Sequence, residues 1–385
     1  MSKTPVAWFQ LISQKSRLMV AIAGIAFATI LVFTQLGLLA ALYLSATAMH
    51  RRLKGDLVML EPETETYIVP GLFPRRRLYQ ALGFEGVKSV SPIRFALQST
   101  TNVQSGRSRV TAMFGISPAN VPFNIPNWES YRPIVQLEDV ILFDSKSRPE
   151  YGINVDNFDP ASPSNHLEVG GRRGKVDAVV DFIGVSFGSP GAIIVNDTTF
   201  QNFAPTRDPE KLELGVITLE EGADIQQVKK TLEETLPRDI KILTIEEFIA
   251  LEEHHWGTST AIGFIFSMGV VVGFLVGIIV VYQILYAEIS DHVSDYAVMK
   301  ARGYGQSYFI GMILQEALIL SVLGYLPGYV CSLGLYHLAR AGTRLPIVMT
   351  VTRALWVLSL TFLMCFFSGG LAAWKLKDVD PADLL

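Results

Sequence analysis

Cysteine is nearly absent: the chain has two, Cys331 and Cys365, and both lie inside apolar runs. No disulfide framework can staple a loop-rich domain, and no thiolate zinc site can be assembled. Charge is also sparse, at 18% of residues; a net charge of -4 without a long basic tract leaves no electrostatic footprint for nucleic acid. A zinc-protease signature is missing as well: there is no His-Glu-x-x-His. "GGRRGKV" (170–176) has too few residues between its glycines for a phosphate loop, and it places Val176 where Ser or Thr must hold magnesium. Glu252, Glu253, His254 and His255 set carboxylates beside imidazoles, but adjacent helical residues point in different directions, and carboxylate-bridged metal sites use Glu-x-x-His spacing. This stretch reads instead as an interfacial collar beside Trp256. The expectation is a protein with no catalytic residue, metal or cofactor of its own. Any work it does draws on another polypeptide or an ion gradient.

Apolar residues, by contrast, are abundant: they make up 50% of the chain. The distribution is uneven, which marks a hybrid of membrane and water-soluble parts. Leu18 to Met49 and Trp256 to Ala287 carry no charge. Each is about 32 residues, or ~48 Å of helix, against a hydrocarbon core of ~30 Å, so both should project beyond a bilayer. A third run, 306–339, is interrupted only by Glu316 and His337, and a fourth covers 354–374. The first run is too long for a signal-peptide core and reads as an uncleaved anchor, despite Lys15 and Arg17 before it and Ala46-Thr47-Ala48 near its end. Four spans put both termini on one side. The basic residues that count most toward orientation favour the cytoplasm for that side. The expected class is therefore an α-helical membrane protein with four transmembrane helices and a large α+β extracytoplasmic domain between helices 1 and 2.

The expected segments follow directly. Residues 1–17 form a cytoplasmic tail, 18–49 the first span with an extracytoplasmic extension, and 50–255 the folded domain. Then come the second span (256–287), a cytoplasmic elbow (288–305), the third span (306–339), a short outer loop (340–353), the fourth span (354–374) and a C-terminal tail (375–385). Within the domain, 109–116, 140–144, 177–187 and 191–197 read as strands, being β-branched and aromatic runs bounded by turn formers. Strand 214–222, a helix over 223–237 capped by Asp224, and strand 240–244 follow. Thr244 with Glu247 makes a capping box for a helix leading toward the second span. With helices entering the membrane at both ends, a tilt of either can reach the domain. "HRRLK" (50–54) and "PRRRL" (74–78) read as solvated surface, or as contacts for lipid headgroups or a partner.

Three constellations stand out. Gly269, Gly273 and Gly277 recur every four residues on one face of the second span and admit close helix packing, within one chain or between two. In the elbow, "YAVMKARGYGQSY" (296–308) carries Lys300 and Arg302 and is broken by Gly303, which suits a left-handed helix stop. Ile289, Val293, Tyr296 and Ala297 share one face, and Ser290, Asp291, Ser294 and Asp295 another. Such a helix could fill a groove on a cytoplasmic partner or lie on headgroups. Gln315 and Glu316 bring polarity into the third span; they mark a functional group, or sit shallow enough to snorkel.

"DYAVMKARGYGQSYFIGMILQEALILSVLGYLPG" (295–328) and the ending "KLKDVDPADLL" (375–385) resemble the corresponding segments of the FtsX/MacB family of ABC-transporter permeases. With "LFDSKSRPEYG" (142–152), the likeness is greatest to the DevC-type branch. The resemblance implies three partners: a cytoplasmic ABC ATPase of the DevA type that hydrolyses the ATP, a periplasmic membrane-fusion adaptor of the DevB type, and through it a TolC-like outer-membrane channel. It also implies a homodimer in the inner membrane, handling membrane lipid. Asp295, Tyr296, Met299, Lys300, Arg302, Gly303 and Tyr304 carry over as the ATPase-coupling contact. Gly305-Gln306-Ser307 departs from the family's small-residue and basic run, which leaves the detailed contact there open. The implied function is a MacB-like exporter of lipid or glycolipid, with a lipoprotein-releasing permease or an FtsX-like regulator of cell-wall hydrolases as alternatives.

Overall fold

An apolar run with no polar face satisfies its backbone internally, and in this chain each such run is helical. The computed structural model describes residues 15–291, 293, 298–300 and 302–375. In chain order the elements are α1 (Lys15–Ala46), β1 (Leu57–Leu60), β2 (Phe73–Pro74), α2 (Arg75–Gln80), β3 (Val87–Asn102), β4 (Ser108–Ile116), α3 (Trp128–Val135) and β5 (Val140–Asp144). Next come β6 (His166–Val169), β7 (Arg172–Val180), β8 (Ala192–Asn196), α4 (Asp197–Phe203), β9 (Lys211–Leu212), β10 (Leu214–Leu219), α5 (Ile225–Thr235), β11 (Lys241–Thr244) and α6 (Ile245–His254). The chain closes with α7 (Ala261–Asp291), α8 (Gln306–Thr343) and α9 (Val351–Lys375). Two compact units result: a helical one ending at Ala40 and resuming over Ile262–Gly342 and from Ile347, and a mixed one made of Ala41–Ala261 with Thr343–Pro346.

In the helical unit, α1, α7, α8 and α9 are each long and apolar enough to cross a membrane. Ile25 and Ala28 of α1 are buried with Val281 and Leu285 of α7, Ile313 and Ala317 of α8, and Met364 and Cys365 of α9. Lipid is as apolar as these side chains, so close fit rather than water exclusion holds such helices together. The fit relies on small residues. A side chain at Gly328 of α8 would come within 2.9 Å of Thr29. Gly37 leaves space for the Tyr336 ring, whose hydroxyl donates to the Phe33 carbonyl. The helix α7 is the least covered: 17% of its apolar window is buried, against 50% for α1 and α8, so most of its surface is left for lipid or another chain.

The mixed unit is built on β3. Its first half pairs antiparallel with β10, from Val87–Leu219 to Ile93–Leu214, and its second half with β4, from Ile93–Ile116 to Thr101–Ser108. One strand thus belongs to two lobes. In the first lobe, β11, β1, β10 and β3 lie side by side, and Leu57, Met59 and Ile217 pack with Leu78 of α2 and Leu232 of α5. In the second, the order runs β3-β4-β8-β5-β7-β6, and β6 returns to the end of β3 through Thr100–Val169, so the sheet curls back on itself. Its core is a run of aromatic contacts, with Phe95–Phe114 centroids 5.2 Å apart, Phe114–Phe182 5.2 Å and Phe123–Phe182 4.9 Å.

Local signals explain the best-defined pieces. Asp224 accepts from the Gln226 and Gln227 amides at 2.9 and 3.2 Å to start α5, and Thr244 with Glu247 forms the reciprocal box that starts α6. One strand differs from expectation. The run 177–187 was to be extended throughout, but β7 spans Arg172–Val180 and the chain then turns. The buried Asp144 carboxylate gathers the amides of Phe182, Ile183 and Gly184, and a backbone bonded to one side chain cannot also pair in a ladder.

Candidate functional site

The elbow carries the partner contact expected from the sequence. Asp295 and Tyr296 lie outside the described residues, as does the tail from residue 376. Residues 298–300 are helical, and the helix ends as a glycine stop requires. Gly303 has φ +93°, its amide donates to Lys300 O at 3.0 Å, and the Tyr304 amide reaches Met299 O at 3.2 Å, the paired bonds of a Schellman motif. This stop sorts the side chains. Met299 is partly buried against the helical-unit core, whereas Val298, Arg302 and Tyr304 are exposed. Lys300 is half-buried. Val298, Arg302, Gly303 and Tyr304 are thus left at the surface, while Met299 packs against the core. Nearby, Arg17 of α1 pairs with Asp291 of α7 and ties the ends of those two helices together.

The glycine stripe faces inward. Gly269 abuts the Gln35 side chain, a Cβ on Gly273 would be 3.3 Å from Val32, and Gly277 lies against Ala28 and Met364. These glycines let α7 approach α1 within the chain; the uncovered face of α7 instead carries residues such as Phe264, Ile265, Val272 and Ile279. Gln315 and Glu316 diverge on α8: Gln315 is exposed, while Glu316 is 1% exposed, with no hydrogen-bond partner for Oε1 among the described residues. A snorkelling geometry does not describe Glu316.

The most developed polar cluster sits where helix ends join the mixed unit. The last turn of α1, the 3₁₀ turn at His50–Arg52, α6 and the π-helical turn His255–Ser259 all belong to that unit. Glu252 on α6 is fully buried. Its Oε1 accepts from Thr66 Oγ1 and from Trp256 Nε1, each at 2.8 Å, and its Oε2 accepts from the Tyr67 amide at 3.0 Å. Burial pushes its pKa up from 4.5 to about 7, against the pull of those three donors. His50 lies beside it, its ring 4.0 Å from Phe248 and 5.3 Å from Tyr67. At 3.6 Å from Glu252 Oε2, its Nε2 is beyond hydrogen-bond range, and neither ring nitrogen has a partner among the described residues. Burial holds His50 neutral, with its pKa lowered from 6.5 to about 3. The expected collar is thus an internal clamp: Glu252 and Trp256 are one helical turn apart on the inward face. Among the described residues no group of three His, Cys, Asp or Glu is placed to hold a metal.

A third link reaches the same unit from the α8–α9 connection. Arg344, at φ +58°, donates to the Ser147 carbonyl at 2.9 Å, and Ser147 Oγ accepts from the Ala192 amide at 3.1 Å. Ser147 lies within "LFDSKSRPEYG" (142–152), so this segment forms a shaped turn that receives the connection. The basic stretches divide similarly. In 50–54, His50 is buried, Arg51 pairs with Glu253 at 3.5 Å and Arg52 with Asp181 at 3.2 Å. In 74–78, Arg75 pairs with Asp197 at 2.9 Å and Arg77 with Asp239 at 3.0 Å.

The chain thus has four helices long and apolar enough to cross a membrane, a mixed domain inserted after the first of them, and a capped, exposed turn at Arg302–Tyr304 after the second. Residues 267–381 match the family described as FtsX-like permease C-terminal, so this part of the chain is an FtsX-like permease C-terminal domain. None of the curated proteins compared with the chain matches it. Among solved structures, the periplasmic region of MacB from Actinobacillus actinomycetemcomitans aligns at 12% identity and a TM-score of 0.35, over 51% of this chain and 91% of that one. The extracellular domain of the noncanonic ABC-type transporter YknZ from Gram-positive bacteria aligns at 11% and 0.33, over 49% of this chain and 98% of that one.

Proposed function

We propose that this chain is the permease subunit of a MacB-like tripartite exporter in the inner membrane, with its mixed domain in the periplasm. A separate DevA-like ATPase binds the elbow and supplies the energy. A DevB-like adaptor and a TolC-like channel receive the cargo, a lipid or glycolipid. The permease works as a homodimer, and the uncovered apolar face of α7 is the surface available for the second copy or for lipid.

One observation carries this reading: helix ends from both sides of the inserted domain are clamped into it through Glu252, Trp256 and the segment 49–67. The helix α1 continues without a break past Ala40 into the packed unit and carries a tilt with it, because a close-packed core resists deformation, whereas α7 joins the clamp through the extended residue Thr260. On this account, closure of the ATPase moves the elbow, α7 and α1 shift, and the domain reorients against its adaptor. The test is co-purification in mild detergent. Arg302→Glu reverses an exposed charge of the elbow without touching the core; it should abolish recovery of an ABC ATPase and the associated export while leaving membrane insertion intact. Unchanged recovery would refute the assignment.

A further inference from the structure

The mixed unit holds a cleft of about 510 Å³ that none of the coupling machinery uses. Its walls come from both lobes: Lys54, Lys88 on β3 and Thr218 on β10 on one side, and the loop around Asn120 with Trp128 and Arg132 of α3 on the other. That size suits a ligand of small-molecule dimensions.

The charges are unequal. Arg132 is already paired with Glu129 at 3.4 Å, the one carboxylate lining the cleft. Lys54 and Lys88 are exposed, and neither forms an ion pair among the described residues, although the basic side chains Arg51, Arg52, Arg75 and Arg77 all do. Two uncompensated ammonium groups facing one cleft match a phosphate, which carries about -1.5 to -2 at neutral pH, better than a singly charged carboxylate. Trp128 is half-buried, with its ring packed against the core, so it offers a fixed apolar wall on which a sugar ring or glycerol can lie. The cleft is also near the first span along the chain: Lys54 lies within about 28 Å of the end of α1 even if the connection were fully extended.

We propose that this cleft binds a phosphate-bearing polar head, with Lys54 and Lys88 taking the phosphate and Trp128 the adjoining ring or glycerol. Two sources share that chemistry, a soluble sugar phosphate and a phospholipid headgroup. Binding is measured directly, so the proposal stands or falls apart from the transport reading.

The experiment is calorimetric titration of the full chain in a neutral maltoside detergent, with glucose 1-phosphate in one arm and dihexanoyl phosphatidic acid in the other. Glucose is the uncharged control. Binding of either phosphate compound should weaken about tenfold or more in K54E/K88E, and should weaken with salt, because exposed charges carry the affinity. Preference for glucose 1-phosphate identifies a soluble source; preference for the phosphatidic acid identifies a headgroup. Since both lysines are exposed and unpaired, the variant should melt as the parent does; if it does not, K54Q/K88Q replaces it and should show a smaller loss. No binding in either arm, equal binding by parent and variant, or glucose binding as tightly as its phosphate would overturn the proposal.

Discussion

Replacing Glu252 by alanine takes one buried acceptor away from three buried donors: Thr66 Oγ1, the Tyr67 amide and Trp256 Nε1. Each donor left without a partner costs roughly 1–3 kcal/mol, offset in part because an ionisable carboxyl no longer has to be buried, for a net loss of about 3–5 kcal/mol. That is a large share of a domain's usual stability of about 5–15 kcal/mol. Glu252→Gln keeps an oxygen for Thr66 and Trp256 and presents an amide to the Tyr67 N–H, so about 1–2 kcal/mol is expected. The two variants also separate the titrations. The folded-state pKa of Glu252 is raised to about 7, so its contribution is fully present below pH 4.5 and lost as pH rises through 7, about 3 kcal/mol in all. The folded-state pKa of His50 is lowered to about 3, so its contribution is fully present above pH 6.5 and lost as pH falls toward 3. Between pH 4.5 and 6.5 the two trends oppose one another in the parent. Glu252→Gln should expose the acid-side loss, and His50→Phe should expose the loss on raising pH. Thermal unfolding of the full chain in detergent, followed by tryptophan fluorescence across pH, reads all of this. If Glu252→Ala melts with the parent, or if the variants' pH profiles parallel the parent's, the clamp is not what holds the helix ends to the domain.

The other predictions rest on separate contacts. His50→Phe removes two orphaned polar atoms from an aromatic slot and should be neutral or stabilising by about 1 kcal/mol at neutral pH, as judged by melting temperature. Gly277→Leu forces a side chain into Ala28 and Met364 and should lower the yield of folded protein in detergent, whereas Ile279→Leu on the exposed face should not. Glu316→Leu removes a buried polar atom without a partner; stability should hold or rise, and a loss of export in a stable variant would mark the carboxyl as functional. Arg344→Ala breaks the bond to Ser147, should cost about 1–2 kcal/mol, and should raise hydrogen exchange in 145–152.

The four spans are legible because their signal is local: uncharged runs longer than a bilayer is thick need no partner to be recognised. The same holds for the caps at Asp224 and Thr244, where donor and acceptor lie within one turn. The strand β3 was not legible. Pro92 and Arg94 interrupt its pattern, and both become tolerable only in the fold: Pro92 sits opposite Gly215, and the Arg94 guanidinium rests on the Phe200 ring at 4.4 Å and bonds Gln201 at 2.7 Å. The clamp was hidden for a related reason. Thr66 and Glu252 are 186 residues apart, and a Glu-Glu-His-His string reads as polar surface until those donors close over it. The available clue was the spacing of Glu252 and Trp256, one turn apart on a helix, an acceptor and a donor sharing a face. The elbow was half legible. Its glycine stop could be read from sequence, but the division between Met299, turned inward, and Arg302 and Tyr304, turned out, depends on the core beneath it.

The central claim is that a separate ATPase seats on the elbow, and it can be tested by placing a photo-crosslinking phenylalanine at position 304, where Tyr304 is exposed and an aromatic ring already fits. Irradiation of intact cells and mass spectrometry of the adducts should recover a cytoplasmic ABC ATPase. Recovery of extracytoplasmic proteins or lipid alone from that position would contradict the account.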